Sequence, residues 1–148
     1  MKAAVYFENG GPEVLRLESA PVGAPGPGQV RLRQVAVGIN YADTYFRNGT
    51  YPVPLPSGLG VEAAGVVEAV GEGVTQVAPG DRVSYTGFLN TLGAYCTERV
   101  LAADALIRLP DDIDLHTAAA ISNRGLTAAY LLLRLHPVRA GATLLLHA

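Results

Sequence analysis

The sequence predicts a mostly β fold that turns helical near its end, and three observations carry that prediction. Short apolar or alternating segments recur between Gly- and Pro-rich turns through the first three quarters of the chain, as in small barrels and sandwiches. The 17 glycines and 10 prolines fall mostly before residue 111. After Asp111 the pattern becomes alanine-rich and helical, and it closes on the continuous apolar run "ATLLLHA".

Taken in order, "AAVYF" and "VLRLE" read as two strands joined through the turn signal "ENGGPE". "APVGAPGPGQ" is a stiff Pro/Gly loop. In "VRLRQVAVGI", Val30 and Leu32 alternate with Arg31 and Arg33, and the phase then moves to Val35, Val37 and Ile39, which predicts a bulge near Gln34. "VEAAGVVEAVG", "DRVSY", "GAYCTERVL" and "ALIRLP" complete the strands. "DLHTAAAISN" is expected to be a short helix entered at an Asp and left at Asn/Arg/Gly. "LTAAYLLLRLH" is expected to be a second helix, ended by Pro137. "ATLLLHA" has the character of a strand buried on both faces, and such a strand needs neighbours for its backbone groups.

A chain of 148 residues suits one domain with a real core; 49% of it is apolar and 16% charged. The net charge of −2 and the lack of a basic cluster give no reason to expect nucleic acid or an anionic membrane. No apolar run reaches the roughly 18 residues of a membrane span, and the N-terminus lacks the character of a signal peptide. Cys96 is the single cysteine and has no disulfide partner within the chain. These features lead us to expect a soluble cytoplasmic protein.

Candidate chemistry is concentrated in two stretches. His116, His136 and His147 lack metal-ligand spacing, and Cys96 has no adjacent base, so neither a metal centre nor a thiol nucleophile is expected. In "GVEAAGVVEAVGEGV", small residues in a valine-rich strand imply close approach of backbone or ligand. Glu62 within it requires a cation or several donors; a structural ion pair with an arginine is the preferred reading, and a supporting residue of a site the other. "GINYADTYFRNGTYP" reads either as a one-turn helix with Asn40 as N-cap and Gly49 as exit, or as the floor of a site holding Tyr41, Tyr45 and Tyr51.

The blocks "GGPEVL", "GINYADTYFRNGTYP", "PSGLGVEAAGVVEAVG", "GDRV", "GAY" and "GLTAAYLL" stand in the order seen in medium-chain dehydrogenase/reductases. From Gly10 to Ala148 the chain resembles their NADPH:quinone oxidoreductase (zeta-crystallin-like) branch. The resemblance implies a GroES-like, partly open β-barrel domain over 1–122, followed over 123–148 by the first helix and strand of a Rossmann domain. It places the site in the cleft between the two. Zinc-dependent relatives carry Cys and His where this sequence has Asn40 and Val61, so the resemblance implies a zinc-independent enzyme. Such an enzyme passes a hydride from NADPH to a quinone or an α,β-unsaturated carbonyl.

The same resemblance assigns Tyr51 and Asn40 to catalysis. It assigns Tyr41, Ala42, Asp43, Thr44, Tyr45, Thr127 and Tyr130 to the cofactor, with Asn40 and Asp43 holding polar groups in place. Arg124 stands where related sequences often have Lys or Gln. Family members are about twice this length and continue into a glycine-rich pyrophosphate turn, so weak NADPH binding and negligible activity are expected of these residues alone. A homodimer is expected of the full-length enzyme. The alternatives are an enoyl-thioester reductase of the same fold, and a GroES-like binding module without catalysis.

Overall fold

The computed structural model describes residues 1–87 and 91–147. Among these residues, eight strands form two antiparallel sheets. β1 (Lys2–Tyr6), β2 (Arg16–Ser19) and the two-residue β4 (Ser57–Gly58) make a three-stranded sheet in the order β2-β1-β4. β3 (Gln29–Gly38), β5 (Glu62–Val70), β6 (Arg82–Thr86), β7 (Glu98–Ala102) and β8 (Leu106–Arg108) make a five-stranded sheet in the order β7-β3-β5-β6-β8. A single bridge between Ala3 and Cys96 links β1 to the segment entering β7. "GAYCTERVL" is therefore strand only over its second half, since that bridge turns its first half toward the smaller sheet.

The interior follows from the strand alternation. Val30, Leu32, Ala63, Val67, Val83, Tyr85 and Leu101 form the main core. Tyr6, Phe46, Leu59 and Val61 form a second cluster beneath the short helix α1 (Ala42–Arg47). Ala64, Ala118 and Ala119 form a third, where helix α2 (Leu115–Ala129) lies on the sheet. Because side chains alternate along a strand, Glu62 shares the α2-facing side of β5 with Ala64, while Ala63 faces the main core.

The expected bulge is present: the β3–β5 register shifts between Gln34 and Ala36, and again between Arg31 and Leu32. The valine face beyond it is not buried, however. Val35, Val37 and Ile39 are 40%, 38% and 71% exposed, and the latter two line an open apolar groove of about 420 Å³ with Leu17 and Tyr95.

Two expectations for the C-terminal part are corrected. α2 is one continuous helix through Asn123, Arg124 and Gly125, passing into a π-helical segment over Tyr130–Leu135, rather than two helices. Asn123 and Gly125 do not end it because Gly125 is not left-handed, which a glycine exit requires, and the flanking alanines and leucines favour continuation. Asp114 caps the N-terminus as expected, accepting from the backbone N–H groups of His116 and Thr117 at 2.9 and 3.0 Å. The run 142–147 is not a strand, and Leu144, Leu145 and Leu146 are 57–90% exposed. No neighbouring strand lies beside it among the described residues, so its backbone has no ladder to join; Ala148 lies outside the described residues. Among them, no helix is long and apolar enough to cross a membrane.

Candidate active site

α1 is too short to persist on its own and is fixed by its surroundings. Tyr6 donates its hydroxyl to the carbonyl of Phe46 at 3.3 Å. Arg47 donates from Nε to the Gly10 carbonyl at 3.2 Å, and the Gly10 N–H returns a bond to the Arg47 carbonyl at 3.1 Å. At the other end, Asp43 turns back so that Oδ2 accepts from the Asn40 N–H at 2.9 Å and from the Tyr95 hydroxyl at 2.7 Å. Burial, reinforced by the Asp43 carboxylate, pushes the Tyr95 hydroxyl pKa well up, so it remains a donor. Gly60 makes room for that ring: it has φ +89°, and a Cβ there would meet Tyr95 Cδ1 at 2.2 Å. Asp43 Oδ1 is buried with no hydrogen-bond partner among the described residues.

On α1 and the turn after it, aromatic rings form an edge-to-face chain. Tyr41 meets Tyr45 at 5.4 Å, Tyr45 meets Tyr51 at 5.3 Å, and Tyr51 meets Phe46 at 5.5 Å between centroids. Tyr41 is 76% exposed and Phe46 fully buried, so the chain runs from solvent into the core.

Beside it lies a polar chain that links three separate elements. Glu62, fully buried at the start of β5, accepts at Oε2 from Asn40 Nδ2 (2.9 Å) and at Oε1 from the backbone N–H of Asn123 in α2 (2.5 Å). Asn40 Oδ1 in turn accepts from Asn123 Nδ2 at 2.9 Å. Gly38 permits this approach, since a Cβ there would meet Glu62 Oε2 at 2.2 Å and the Ala119 carbonyl at 2.5 Å. The preferred reading of Glu62 as half of an arginine ion pair is thus corrected: among the described residues it pairs with amides and no cation. Asn40 is likewise not a side-chain N-cap. Its amide is spent on Glu62 and Asn123, while Tyr41 occupies the N-cap position without a side-chain bond. Gly49, with φ +82°, does follow the helix as its exit.

With this geometry in view, comparison with known proteins is decisive for the family. Residues 26–133 match the alcohol dehydrogenase GroES-like domain. This chain belongs to that family. The GroES-like chain is 51% identical to a quinone oxidoreductase of Pseudomonas aeruginosa, over 99% of its own length and 45% of that protein. It is 47% identical to a 2-haloacrylate reductase of a Burkholderia species, again over 99% and 45%. A crystal structure of Escherichia coli quinone oxidoreductase complexed with NADPH superposes with a TM-score of 0.90 at 41% identity, covering 94% of this chain and 42% of that one. The chain thus spans about 45% of the length of these curated relatives.

Within the GroES-like chain, the residues singled out from sequence fall into two groups. Asn40, Tyr41, Ala42, Asp43, Thr44, Tyr45 and Tyr51 lie together on α1 and its flanks; Thr44 donates to the Tyr41 carbonyl at 2.7 Å. Thr127 and Tyr130 follow Asn123 by four and seven residues, on the same face of the helix. Thr127 Oγ1 donates to the Asn123 carbonyl at 2.8 Å, and Tyr130 is 58% exposed. Arg124 reaches back to the Ile39 carbonyl at 2.6 Å. Asn123 and Tyr95 were missed from sequence. Asn123 was read only as part of a helix exit, and no local pattern announces that Tyr95 bonds to a residue 52 positions away.

Proposed function

We propose that this chain is the substrate-side part of a zinc-independent, NADPH-dependent oxidoreductase that reduces a quinone or an α,β-unsaturated carbonyl. The observation that carries the reading is the buried Glu62–Asn40–Asn123 chain set against the Tyr41–Tyr45–Tyr51 ring chain. A wall of aromatic edges beside fixed carboxamides suits a flat, uncharged reactant with a carbonyl. The donor set argues the same way, because carboxamides and one carboxylate do not make the nitrogen and sulfur set that catalytic zinc takes. The names of the relatives, quinone and 2-haloacrylate reductases, support an acceptor that is already electron-poor.

The residues present fit a nicotinamide. Its ring needs an apolar face, which the Tyr41 or Tyr45 ring would supply, and its carboxamide needs polar partners, which Asn123 and Thr127 would supply. NADPH, when bound, provides the hydride. Residues 41–45 and Tyr130 would hold and orient it, and Asn40 would keep the polar edge of the site in place. Tyr51 donates its hydroxyl to the acceptor oxygen as negative charge develops there. In this reading residues 1–122 form the substrate-side unit, and α2 leads the chain from residue 123 into a nucleotide-binding unit. A cytoplasmic location and a homodimeric full-length enzyme belong to the same proposal.

The test uses the full-length polypeptide that carries this sequence, with NADPH absorbance followed against p-benzoquinone, an enone and an enoyl thioester. The expected result is rapid NADPH oxidation by the quinone or the enone, with kcat reduced about 100-fold in Tyr51→Phe. Alcohol oxidation that depends on added zinc, with no quinone or enone turnover, would overturn the reading.

A further inference from the structure

Glu62 is fully buried, Asn40 is 7% exposed and Asn123 is half-buried, so the polar chain runs from the interior outward. Its direction is dictated at the inner end. A carboxylate only accepts hydrogen bonds, whereas each carboxamide has one accepting and one donating end. Glu62 therefore draws Asn40 Nδ2 toward itself, which turns Asn40 Oδ1 to Asn123 and draws Asn123 Nδ2 inward. Asn123 Oδ1 is left at the outer end, and among the described residues nothing donates to it.

We propose that Glu62 is a positioning residue that sets the direction of the Asn40 and Asn123 carboxamides, so that the half-buried end of the chain presents a hydrogen-bond acceptor, Asn123 Oδ1, to a donor group of the bound reactants. Its effect on hydride transfer rests on the oxidoreductase reading above; the orientation of the amides does not. Glu62 suits this role better than a purely structural one, because among the described residues it ties a strand, a helix entrance and the middle of a second helix without neutralising any cation. Gly38 adds to the argument, since the backbone leaves out a side chain where any Cβ would break the chain.

Glu62→Gln provides a sharp test because it changes polarity at constant shape. The backbone N–H of Asn123 cannot turn over, so the introduced carboxamide must give it the carbonyl oxygen and present its NH2 to Asn40. Asn40 then flips to accept, its own NH2 faces Asn123, and Asn123 flips as well. The number of hydrogen bonds is kept while the outer acceptor is replaced by N–H groups. Side-chain amide NMR of the full-length protein reads the flip directly. The Asn40 and Asn123 NH2 signals should move, with the nuclear Overhauser contact from Asn123 NH2 toward Asn40 lost, while the melting temperature stays within a few degrees. In steady-state assays kcat should fall about tenfold, with KM for NADPH changing less than threefold.

Asn123→Ala, which keeps the backbone N–H and the Glu62–Asn40 bond, should lower kcat similarly while the Asn40 NH2 still faces Glu62. Amide spectra of Glu62→Gln superimposable on those of the parent would overturn the proposal. So would kcat within twofold of the parent in both variants of an active enzyme. An enzyme that reduces no quinone or enone at all would count against the oxidoreductase reading, while the NMR result would still decide the orientation of the amides.

Discussion

Removing the Tyr95 hydroxyl isolates the bond that holds α1 to the segment before β7. Asp43 is 3% exposed; among the described residues its Oδ1 lacks a partner and Oδ2 has two donors, Tyr95 Oη and the Asn40 N–H. Tyr95→Phe leaves the ring in the pocket opened by Gly60 and takes away one of those two donors. A hydrogen bond to a charged group contributes about 1.5–3 kcal/mol, and a buried carboxylate left with one donor loses toward the upper end of that range. At about 2–4 °C per kcal/mol for a domain of this size, the melting temperature should fall by about 4–12 °C. Urea unfolding of the parent, Tyr95→Phe, Asp43→Asn and the double variant measures the coupling between the two side chains. If Tyr95→Phe shifts stability by less than about 0.5 kcal/mol, or if the two substitutions simply add, then the bond is not what anchors α1 and the reasoning fails.

Two further outcomes follow from the packing around the site. Gly38→Ala places a methyl group 2.2 Å from a buried carboxylate oxygen and 2.5 Å from a backbone carbonyl. The strand and α2 must part, at a cost of about 1–3 kcal/mol or more, and calorimetry should show that loss together with a drop in kcat. Burial pushes the Tyr85 hydroxyl up to about 12, against a smaller opposing pull from Arg99. Unfolded tyrosine gives up its proton near pH 10 while the folded residue keeps it. The stability is therefore fully present below that pH and is lost as pH rises toward the folded value. Urea midpoints should fall above about pH 10, and Tyr85→Phe should lessen the slope of that limb, to which Tyr95 also contributes; a slope unchanged by the substitution would refute the assignment.

What could be read in the sequence was whatever short-range patterning controls. The bulge near Gln34 showed as a phase change between Leu32 and Val35, and the Asp114 cap showed as an acid just before a helical run. The aromatic stretch after Gly38 stood out by its composition, which by itself left a one-turn helix and the floor of a site equally open; the helix is there as α1. Glu62 could be flagged as anomalous, but its partner could not be named, because that choice depends on which residues of α2 arrive above β5. Arginine was a reasonable guess from electrostatics alone; the fold instead delivers Asn40 from 22 positions away and Asn123 from 61. The helix break at Asn-Arg-Gly failed for the same reason. Those residues carry an exit signal only where nothing outside the helix engages Asn123. The strand in "ATLLLHA" was a sound inference about character, but a strand is a property of a pair, and this one has no neighbour among the described residues.

The arrangement explains how a six-residue helix is held in one place, as the proposed site requires. Such a helix gains little from its own hydrogen bonds, so its position must be imposed. Tyr6 ties it to the small sheet, Gly10 ties its exit to the loop after β1, Tyr95 ties its entrance to the segment before β7, and Asn40 ties that entrance to β5 and α2. Each tether comes from a different part of the chain, so no local change can move α1 without breaking contacts elsewhere. The conformational entropy of ordering these groups is met during folding rather than on binding, which is what preorganisation requires. The tether at Asn123 differs from those at Tyr6, Gly10 and Tyr95 in one respect: with the Arg124–Ile39 bond beside it, it joins the entrance of α1 to a helix whose continuation carries Thr127 and Tyr130 outward along the same face. Through it, the placement of α1 and the direction in which α2 leaves the barrel are a single geometric fact. A substitution in the Glu62 chain should therefore be felt at both halves of the site together.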